Sequence, residues 1–207
     1  QVGTHRVSID PTGKYYTVKT DTSEIVQCRL KGKFRIADIK STNPIVVGDK
    51  VELEQESELW MIVKLQERKN HILRKSVNLS KQTHIIAANI DQAILMITLD
   101  SPATTTGFID RFLVAANAYG IGVILLFNKT DLLKEKLKLE QENLQKVYEK
   151  IGYKCFALSV INDDLSSIKH LMTTKVNMIS GHSGVGKSTL INKLQPNLNI
   201  NTKEVSE

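Results

Sequence analysis

The first 70 residues alternate apolar and polar side chains over short stretches, which turn residues separate. Such alternation is typical of strands with one buried face. It predicts five strands, over residues 4–9, 15–20, 24–37, 50–54 and 59–65. Five short strands within about 65 residues indicate a small all-β barrel, and we expect an OB-fold, with an SH3-like barrel as the alternative.

From residue 85 onward, continuous apolar runs alternate with segments of helical spacing. The runs predict buried strands over residues 92–98, 121–127, 154–158 and 175–180. Two apolar stripes predict core-facing helices, the first with Phe108, Ile109, Phe112, Leu113 and Ala116, and the second with Leu144, Val147, Tyr148 and Ile151. Alternating strands and helices predict a doubly wound α/β sheet.

The change of pattern predicts a β-barrel over residues 1–70, a basic linker over 71–84 and an α/β domain over 85–207. A hydrophobic fraction of 41% and a charged fraction of 24% are those of a soluble globular protein. No apolar run approaches the roughly 20 residues of a membrane span, and no signal peptide opens the chain. Cys28 and Cys155 lie in apolar strand patterns and are expected to be reduced thiols. We therefore expect a cytoplasmic monomer without a membrane partner.

Residues 181–188 read Gly-His-Ser-Gly-Val-Gly-Lys-Ser, which fits the P-loop pattern of Gly, four residues, Gly, Lys and Ser or Thr. Glycines between a strand and a helix let backbone N–H groups surround phosphate oxygens at the helix N-terminus. The predicted nucleotide-binding residues of this loop are Gly181, Ser183, Gly184, Val185, Gly186, Lys187, Ser188 and Thr189. Lys187 is expected to reach the β- and γ-phosphates and Ser188 to bind Mg²⁺, which makes both candidate catalytic residues. His182 has no assigned role.

Asn128, Lys129 and Asp131 form an Asn-Lys-x-Asp tetrapeptide directly after the predicted strand 121–127. Ligands in open α/β sheets bind at the carboxyl ends of strands, so this position suits a base-binding role. The Asp131 carboxylate can accept hydrogen bonds from the N1–H and 2-amino groups of guanine, which adenine does not offer. Asn128 would hold the surrounding loops and the Lys129 stem would cover the base. Together with the P-loop, the tetrapeptide favours GTP and GDP over adenine nucleotides.

Ser159 and Val160 end the predicted strand 154–158. A Ser-Ala-like step at this strand end commonly contacts the guanine oxygen through a backbone N–H in GTPases. We expect that contact from Ser159 and Val160, although a plain strand-to-loop Ser is an equally good interpretation of the residues alone.

One predicted strand of the barrel is unusually basic. Its cations alternate with apolar residues, so they are expected on one face of the strand. Residues 1–80 hold 14 Lys or Arg against 10 Asp or Glu, a net of +4 within an overall +6. The candidate RNA-binding residues are Arg29, Lys31, Lys33 and Arg35 on the strand and Arg68, Lys69, Arg74 and Lys75 in the segment that follows the barrel. Such a face is typical of nucleic-acid binding, with an ordinary solvated surface as the alternative.

The order of the two motifs is reversed relative to ordinary GTPases, in which the P-loop precedes Asn-Lys-x-Asp, and this indicates a circularly permuted GTPase domain. With the β-module in front, residues 86–92 (Ile-Ala-Ala-Asn-Ile-Asp-Gln), 109–113 (Ile-Asp-Arg-Phe-Leu) and the P-loop, the chain resembles the bacterial ribosome small-subunit-dependent GTPases. The resemblance implies an OB-fold, a permuted GTPase domain and a C-terminal zinc-binding domain. It also implies binding to the 30S subunit and its 16S rRNA during late maturation, with GTP hydrolysis stimulated by the 30S particle.

Two elements of a complete GTPase do not occur after Thr189, namely a switch threonine and an Asp-x-x-Gly motif. We expect both of these, and the Cys/His ligands for Zn²⁺, to follow residue 207. With no water-positioning residue in the sequence, we expect slow intrinsic GTP hydrolysis that a partner accelerates. The alternatives are an RNA-binding scaffold with a vestigial nucleotide site and a permuted GTPase that acts on another assembly.

Overall fold

Residues 4–8, 15–31, 44–75 and 83–195 are described by the structure, a computed structural model of the chain. Its fold divides into two units, Gln1–Ile90 and Asp91–Glu207.

A closed five-stranded barrel forms most of the first unit. Its strands are β1 (Thr4–Ser8), β2 (Tyr16–Lys19), β3 (Ile25–Leu30), β4 (Lys50–Glu56) and β5 (Leu59–Leu65). They pair in the order β1-β2-β3-β5-β4, and β4 closes the barrel on β1. The interior is filled by Val7, Val18, Cys28, Ile45, Val51, Leu53 and Ile62. The predicted barrel is therefore confirmed, although the predicted extension of β3 to residue 37 lies outside the described residues.

A two-stranded antiparallel sheet follows the barrel, formed by β6 (His71–Lys75) and β7 (Thr83–Ala88). The structure thus differs from the predicted linker over 71–84, and the boundary between units falls after Ile90. Asn89 attaches this hairpin to the barrel, because its Nδ2 donates to the Gly48 carbonyl over 3.0 Å and its Oδ1 accepts from the Lys69 N–H over 2.9 Å. Segment composition did not reveal these contacts, since they join residues 20 and 41 positions apart.

Gly48 is required where the hairpin meets the barrel. Its φ is +90°, and a Cβ built on it would lie 2.0 Å from the Ala88 carbonyl oxygen. We expect Gly48→Ala to lower the free energy of unfolding by about 3 kcal/mol, from backbone strain and overpacking together. Urea denaturation of the purified protein measures this. Gly122→Ala is the matched control, because no atom lies within 4 Å of its Cβ position, and equal stability of the two variants would contradict the assignment.

The second unit is built on a parallel sheet of β8 (Gln92–Ile97), β9 (Gly122–Phe127), β10 (Lys154–Ala157) and β11 (Asn177–Ser180). The strand order is β10-β9-β8-β11, which places the P-loop strand β11, the last of the described strands, beside β8, the first strand of the unit. Every residue of β8 is buried, as expected for a central parallel strand covered on both faces. All four predicted strands are confirmed to within two residues.

In the described part of this unit, four α-helices accompany the sheet: α1 (Thr106–Ala118), α2 (Glu135–Ile151), α3 (Ser166–Met172) and α4 (Lys187–Leu194). The core-facing stripe of α1 is confirmed by the burial of Ile109, Leu113 and Ala116. On α2 the prediction is wrong for two positions, because Tyr148 is buried while Val147 is 53% and Ile151 65% exposed. Helix α2 packs beside the edge strand β10, and this packing leaves Val147 and Ile151 exposed. The short helix α3 was not predicted.

Both cysteines are free thiols, with Cys28 buried in the barrel and Cys155 half-buried on β10. Burial raises the pKa of Cys28 to about 12 and is the main cause that raises the pKa of Cys155 to about 11. Both side chains are therefore protonated near neutral pH, which suits packing rather than reactivity. Among the residues that the structure describes, no helix combines the length and apolar character needed to cross a membrane.

Candidate nucleotide-binding site

The three predicted ligand-binding segments of the second unit follow three parallel strands of one sheet. The Asn-Lys-x-Asp tetrapeptide follows β9, the Ser159 segment follows β10, and the P-loop follows β11. The carboxyl ends of parallel strands meet at one edge of the sheet, where ligands of open α/β sheets bind. The fold therefore brings the predicted base-binding and phosphate-binding residues to one edge.

Glycine conformation and one lysine shape the P-loop. Gly186 has a φ of +104°, and a Cβ built on it would lie 2.5 Å from Asn128 Nδ2, so the loop and the tetrapeptide meet at a distance that only glycine permits. The Lys187 Nζ donates to the carbonyls of Gly181 and His182, at 2.8 Å each. The ammonium group is thus held inside the loop, where a phosphate group would replace these carbonyl contacts.

Asn128 joins the three segments through one buried side chain. Its Nδ2 donates to the Val185 carbonyl over 2.8 Å, and its Oδ1 accepts from the Val160 N–H over 2.9 Å. Its backbone N–H is bonded to the Ile97 carbonyl of β8 over 2.8 Å. Asn128 therefore connects the loops that follow β9, β10 and β11.

The other two tetrapeptide residues lie nearer the solvent. Asp131 is exposed, and its Oδ2 accepts a hydrogen bond from Asn162 Nδ2 over 3.0 Å. Lys129 has a left-handed backbone, with φ +64°, and its Nζ donates to the Ser101 carbonyl over 2.6 Å. The carboxylate is therefore oriented by Asn162, and the lysine stem is fixed by the loop that follows β8.

The Ser159 segment needs a correction. The Ser159 N–H donates to Asp163 Oδ2 over 2.7 Å, and the Val160 N–H is bonded to Asn128. Both N–H groups that were expected to contact guanine are therefore engaged within the protein. Ser159 and Val160 thus order the loop through these two hydrogen bonds.

The arrangement fits a nucleoside triphosphate with Mg²⁺. The loop combines glycines in positive-φ conformations, the Lys187 ammonium and the N-terminal turn of α4, which is the setting for a phosphate chain. Ser188 and Thr189 lie in that first turn, Ser188 half-buried and Thr189 exposed. Among the described residues, no group of three His, Cys, Asp or Glu side chains could hold a metal ion by itself.

The candidate RNA-binding residues of the first unit have different surroundings. Arg29 is exposed and its guanidinium stacks 4.5 Å from the ring centroid of Tyr15, to whose hydroxyl it also donates. Lys31 pairs with Glu54 over 3.0 Å and with Glu56 over 2.7 Å, which raises the pKa of Lys31 but offsets its charge. Lys33 and Arg35 lie outside the described residues. Lys69 precedes β6, and Arg74 and Lys75 lie on it.

Arg68 is a structural residue, contrary to the prediction. Its side chain is 8% exposed, and its Nε and Nη2 donate to the buried Asp49 carboxylate over 2.6 and 2.7 Å. A third hydrogen bond reaches the Pro44 carbonyl over 3.1 Å. A guanidinium held in this way is not available to an RNA phosphate.

Four residues of the site were missed by sequence reasoning. Asn162 and Asp163 orient Asp131 and the Ser159 segment, and the run of polar residues in the loop after β10 was the available signal. Ser101 acts through its carbonyl, for which the sequence gives no signal. Lys193 of α4 donates to the Ile161 carbonyl and so ties the helix after the P-loop to the same segment.

Comparison with known proteins agrees with this architecture. Residues 65–207 match the family model described as RsgA GTPase, and residues 9–59 match the RsgA N-terminal domain. The structure of YjeQ from Thermotoga maritima superposes with a TM-score of 0.79 at 31% identity, over 96% of this chain and 66% of that one. The structure of YloQ, a circularly permuted GTPase, superposes with a TM-score of 0.75 at 29% identity, over 95% of this chain and 65% of that one. The predicted permuted fold with a barrel in front is thereby confirmed.

Two curated relatives carry the name small ribosomal subunit biogenesis GTPase RsgA. The protein from Flavobacterium johnsoniae is 56% identical over 201 residues, which is 95% of this chain and 62% of the relative. The protein from Bacteroides fragilis is 47% identical over 201 residues, which is 96% of this chain and 64% of the relative. The chain thus spans a little less than two thirds of these relatives. With both family models matched in order, the chain belongs to the RsgA GTPase family.

Proposed function

We propose that this chain carries the guanine-nucleotide site and the RNA-binding barrel of a GTPase that assists late maturation of the small ribosomal subunit. The observation that carries the proposal is the Asn128 bridge between the Val185 carbonyl and the Val160 N–H. It couples the phosphate-binding and base-binding segments through one buried side chain. Relatives named for small-subunit biogenesis support the choice of partner.

Guanine is selected by Asp131. Its carboxylate, oriented by Asn162, accepts from the N1–H and the 2-amino group of the base. Since the Ser159 and Val160 N–H groups are engaged, we assign the contact to the guanine oxygen to the next backbone N–H, that of Ile161. Asn128 keeps these groups in register with the P-loop.

Lys187 and Ser188 act on the phosphates. Lys187 exchanges its contacts with the Gly181 and His182 carbonyls for the β- and γ-phosphate oxygens, and Ser188 supplies the hydroxyl ligand for Mg²⁺. Mg²⁺, when bound, neutralises charge on the phosphates. The P-loop N–H groups and Lys187 stabilise the negative charge of the transition state while water attacks the γ-phosphate in line. The products are GDP and inorganic phosphate.

The described residues supply no side chain positioned to orient the attacking water. We therefore expect slow hydrolysis by the protein alone and acceleration by the particle that it binds. We also propose, from the greater length of the relatives, that the natural protein supplies switch motifs and a zinc-binding domain after residue 207. Measurement of zinc in the purified full-length protein tests the latter.

We propose that Arg29 and Tyr15 form the part of the barrel surface that binds 16S rRNA. A cation stacked on an exposed ring offers both phosphate contact and a stacking face. Lys31 contributes less, since two glutamates offset its charge. We propose that the protein is a cytoplasmic monomer until it meets the 30S subunit.

GTP turnover by the full-length protein, alone and with purified 30S or 50S subunits, tests the proposed function. We expect stimulation by 30S subunits only, and its loss in the Lys187→Ala variant. Failure to bind GDP or GTP would favour the RNA-binding scaffold with a vestigial site. Stimulation by 50S subunits would favour a permuted GTPase that acts on another assembly.

A further inference from the structure

The segment that follows β8 lies between the two halves of the nucleotide site. Strand β8 pairs with β9 on one side and β11 on the other, so its carboxyl end adjoins the loops that follow both neighbours. The segment already contacts the base side, because the Ser101 carbonyl accepts from Lys129 Nζ. It is therefore placed to contact the phosphate side as well.

Two residues of this segment reach the P-loop. The Cδ of Pro102 lies 3.6 Å from the position that a Cβ on Gly184 would occupy. The ring of Phe108 lies against the imidazole of His182, with centroids 4.1 Å apart and planes inclined by 34°. A separation of this size is that of a directly packed aromatic pair. The P-loop is thus contacted by residues outside its own strand and helix.

Phe108 is held in place by its own local structure. Thr105 caps α1, and its Oγ1 accepts from the Phe108 N–H over 3.3 Å. The loop before it is closed by a hydrogen bond from the Thr98 N–H to Thr104 Oγ1 over 3.2 Å. The ring of Phe108 therefore projects from a fixed first turn of the helix.

His182 contacts Phe108 through its side chain and Lys187 through its backbone carbonyl. Lys187 Nζ donates to the His182 carbonyl over 2.8 Å, so a shift of His182 moves an acceptor of the ammonium group. On this ground, and resting on the proposed nucleotide site, we infer that Phe108 is a positioning residue for nucleotide binding that acts through His182. It fixes the first peptide of the P-loop and with it Lys187.

A double-mutant cycle on the full-length protein tests this inference, with GDP affinity measured from the fluorescence of a labelled GDP. Phe108→Leu, which keeps an apolar side chain without a ring, and His182→Ala are each expected to weaken binding, with a coupling between them of about 2- to 12-fold. Phe108→Tyr keeps the ring and is expected to retain the affinity of the unmodified protein. The thermal midpoint of unfolding, measured in parallel, should stay unchanged for Phe108→Leu. A merely structural role of Phe108 would instead lower this midpoint.

Each outcome decides the question. Independent effects of Phe108→Leu and His182→Ala, or full affinity in Phe108→Leu, would overturn the inference. If the inference about Phe108 fails in this way while the unmodified protein binds GDP and Lys187→Ala weakens that binding, the proposed nucleotide site still stands. If the unmodified protein does not bind GDP, the proposed function and the inference fall together.

Discussion

Asp131→Asn is expected to transfer the base preference from guanine to xanthine nucleotides. The carboxylate accepts from both the N1–H and the 2-amino group of guanine, whereas an amide offers one acceptor and one donor. Xanthine presents N1–H and a 2-carbonyl, which match the amide. We expect GTP affinity to fall by about 10²- to 10⁴-fold, because the 2-amino group would face another donor. The change is measured by letting unlabelled GDP or XDP compete with the labelled nucleotide for the binding site.

Lys187→Ala is the matched control for this change of base preference. It removes a phosphate contact, so it should weaken GDP and XDP equally and leave their ratio unchanged. An unaltered ratio in Asp131→Asn would refute Asp131 as the base-reading residue. The hydrogen bond from Asn162 Nδ2 has an oxygen acceptor in either side chain, so the loop itself should keep its conformation.

Lys187→Ala is also expected to have the largest effect on hydrolysis. The ammonium group lies within the P-loop, 2.8 Å from two loop carbonyls, and is placed to reach phosphate oxygens. Loss of a fixed positive charge at the transition state should lower single-turnover GTP hydrolysis by roughly 10³-fold. The effect should be visible with and without 30S subunits.

The exposed Lys146 on α2 supplies a control for a general loss of charge. Lys146→Ala removes the same charge far from the P-loop in sequence and is expected to leave hydrolysis unchanged. Comparable rates for Lys187→Ala and the unmodified protein would contradict the catalytic assignment. The thermal midpoint of Lys187→Ala should change little, since the carbonyls it leaves can bind water.

Local patterns were sufficient for the elements that carry the chemistry. The strands of the parallel sheet were predicted because buried parallel strands are continuous apolar runs, and β8 is buried along its whole length. The P-loop was predicted because its glycines and lysine bind through backbone and charge within eight consecutive residues. Asn128 and Asp131 were predicted because they belong to an Asn-Lys-x-Asp tetrapeptide that directly follows a predicted strand.

Surface exposure and pairing were less predictable. Val147 and Ile151 share the apolar spacing of a buried face, yet α2 packs beside an edge strand that does not cover them. Arg68 has the composition of an RNA-binding residue, yet Asp49, 19 positions earlier, holds it in a buried ion pair. Periodicity shows which residues share a face, but not which partner covers that face.

The sequence by itself determined the class of fold and the permuted order of the motifs, and it predicted which residues bind the phosphates and the base. Only the tertiary structure supplied the partners of Asn128, which are the Val185 carbonyl and the Val160 N–H, and the ring contact between Phe108 and His182. The first group depends on interactions within a few consecutive residues. The second depends on strand order and register, which bring together residues between 32 and 74 positions apart.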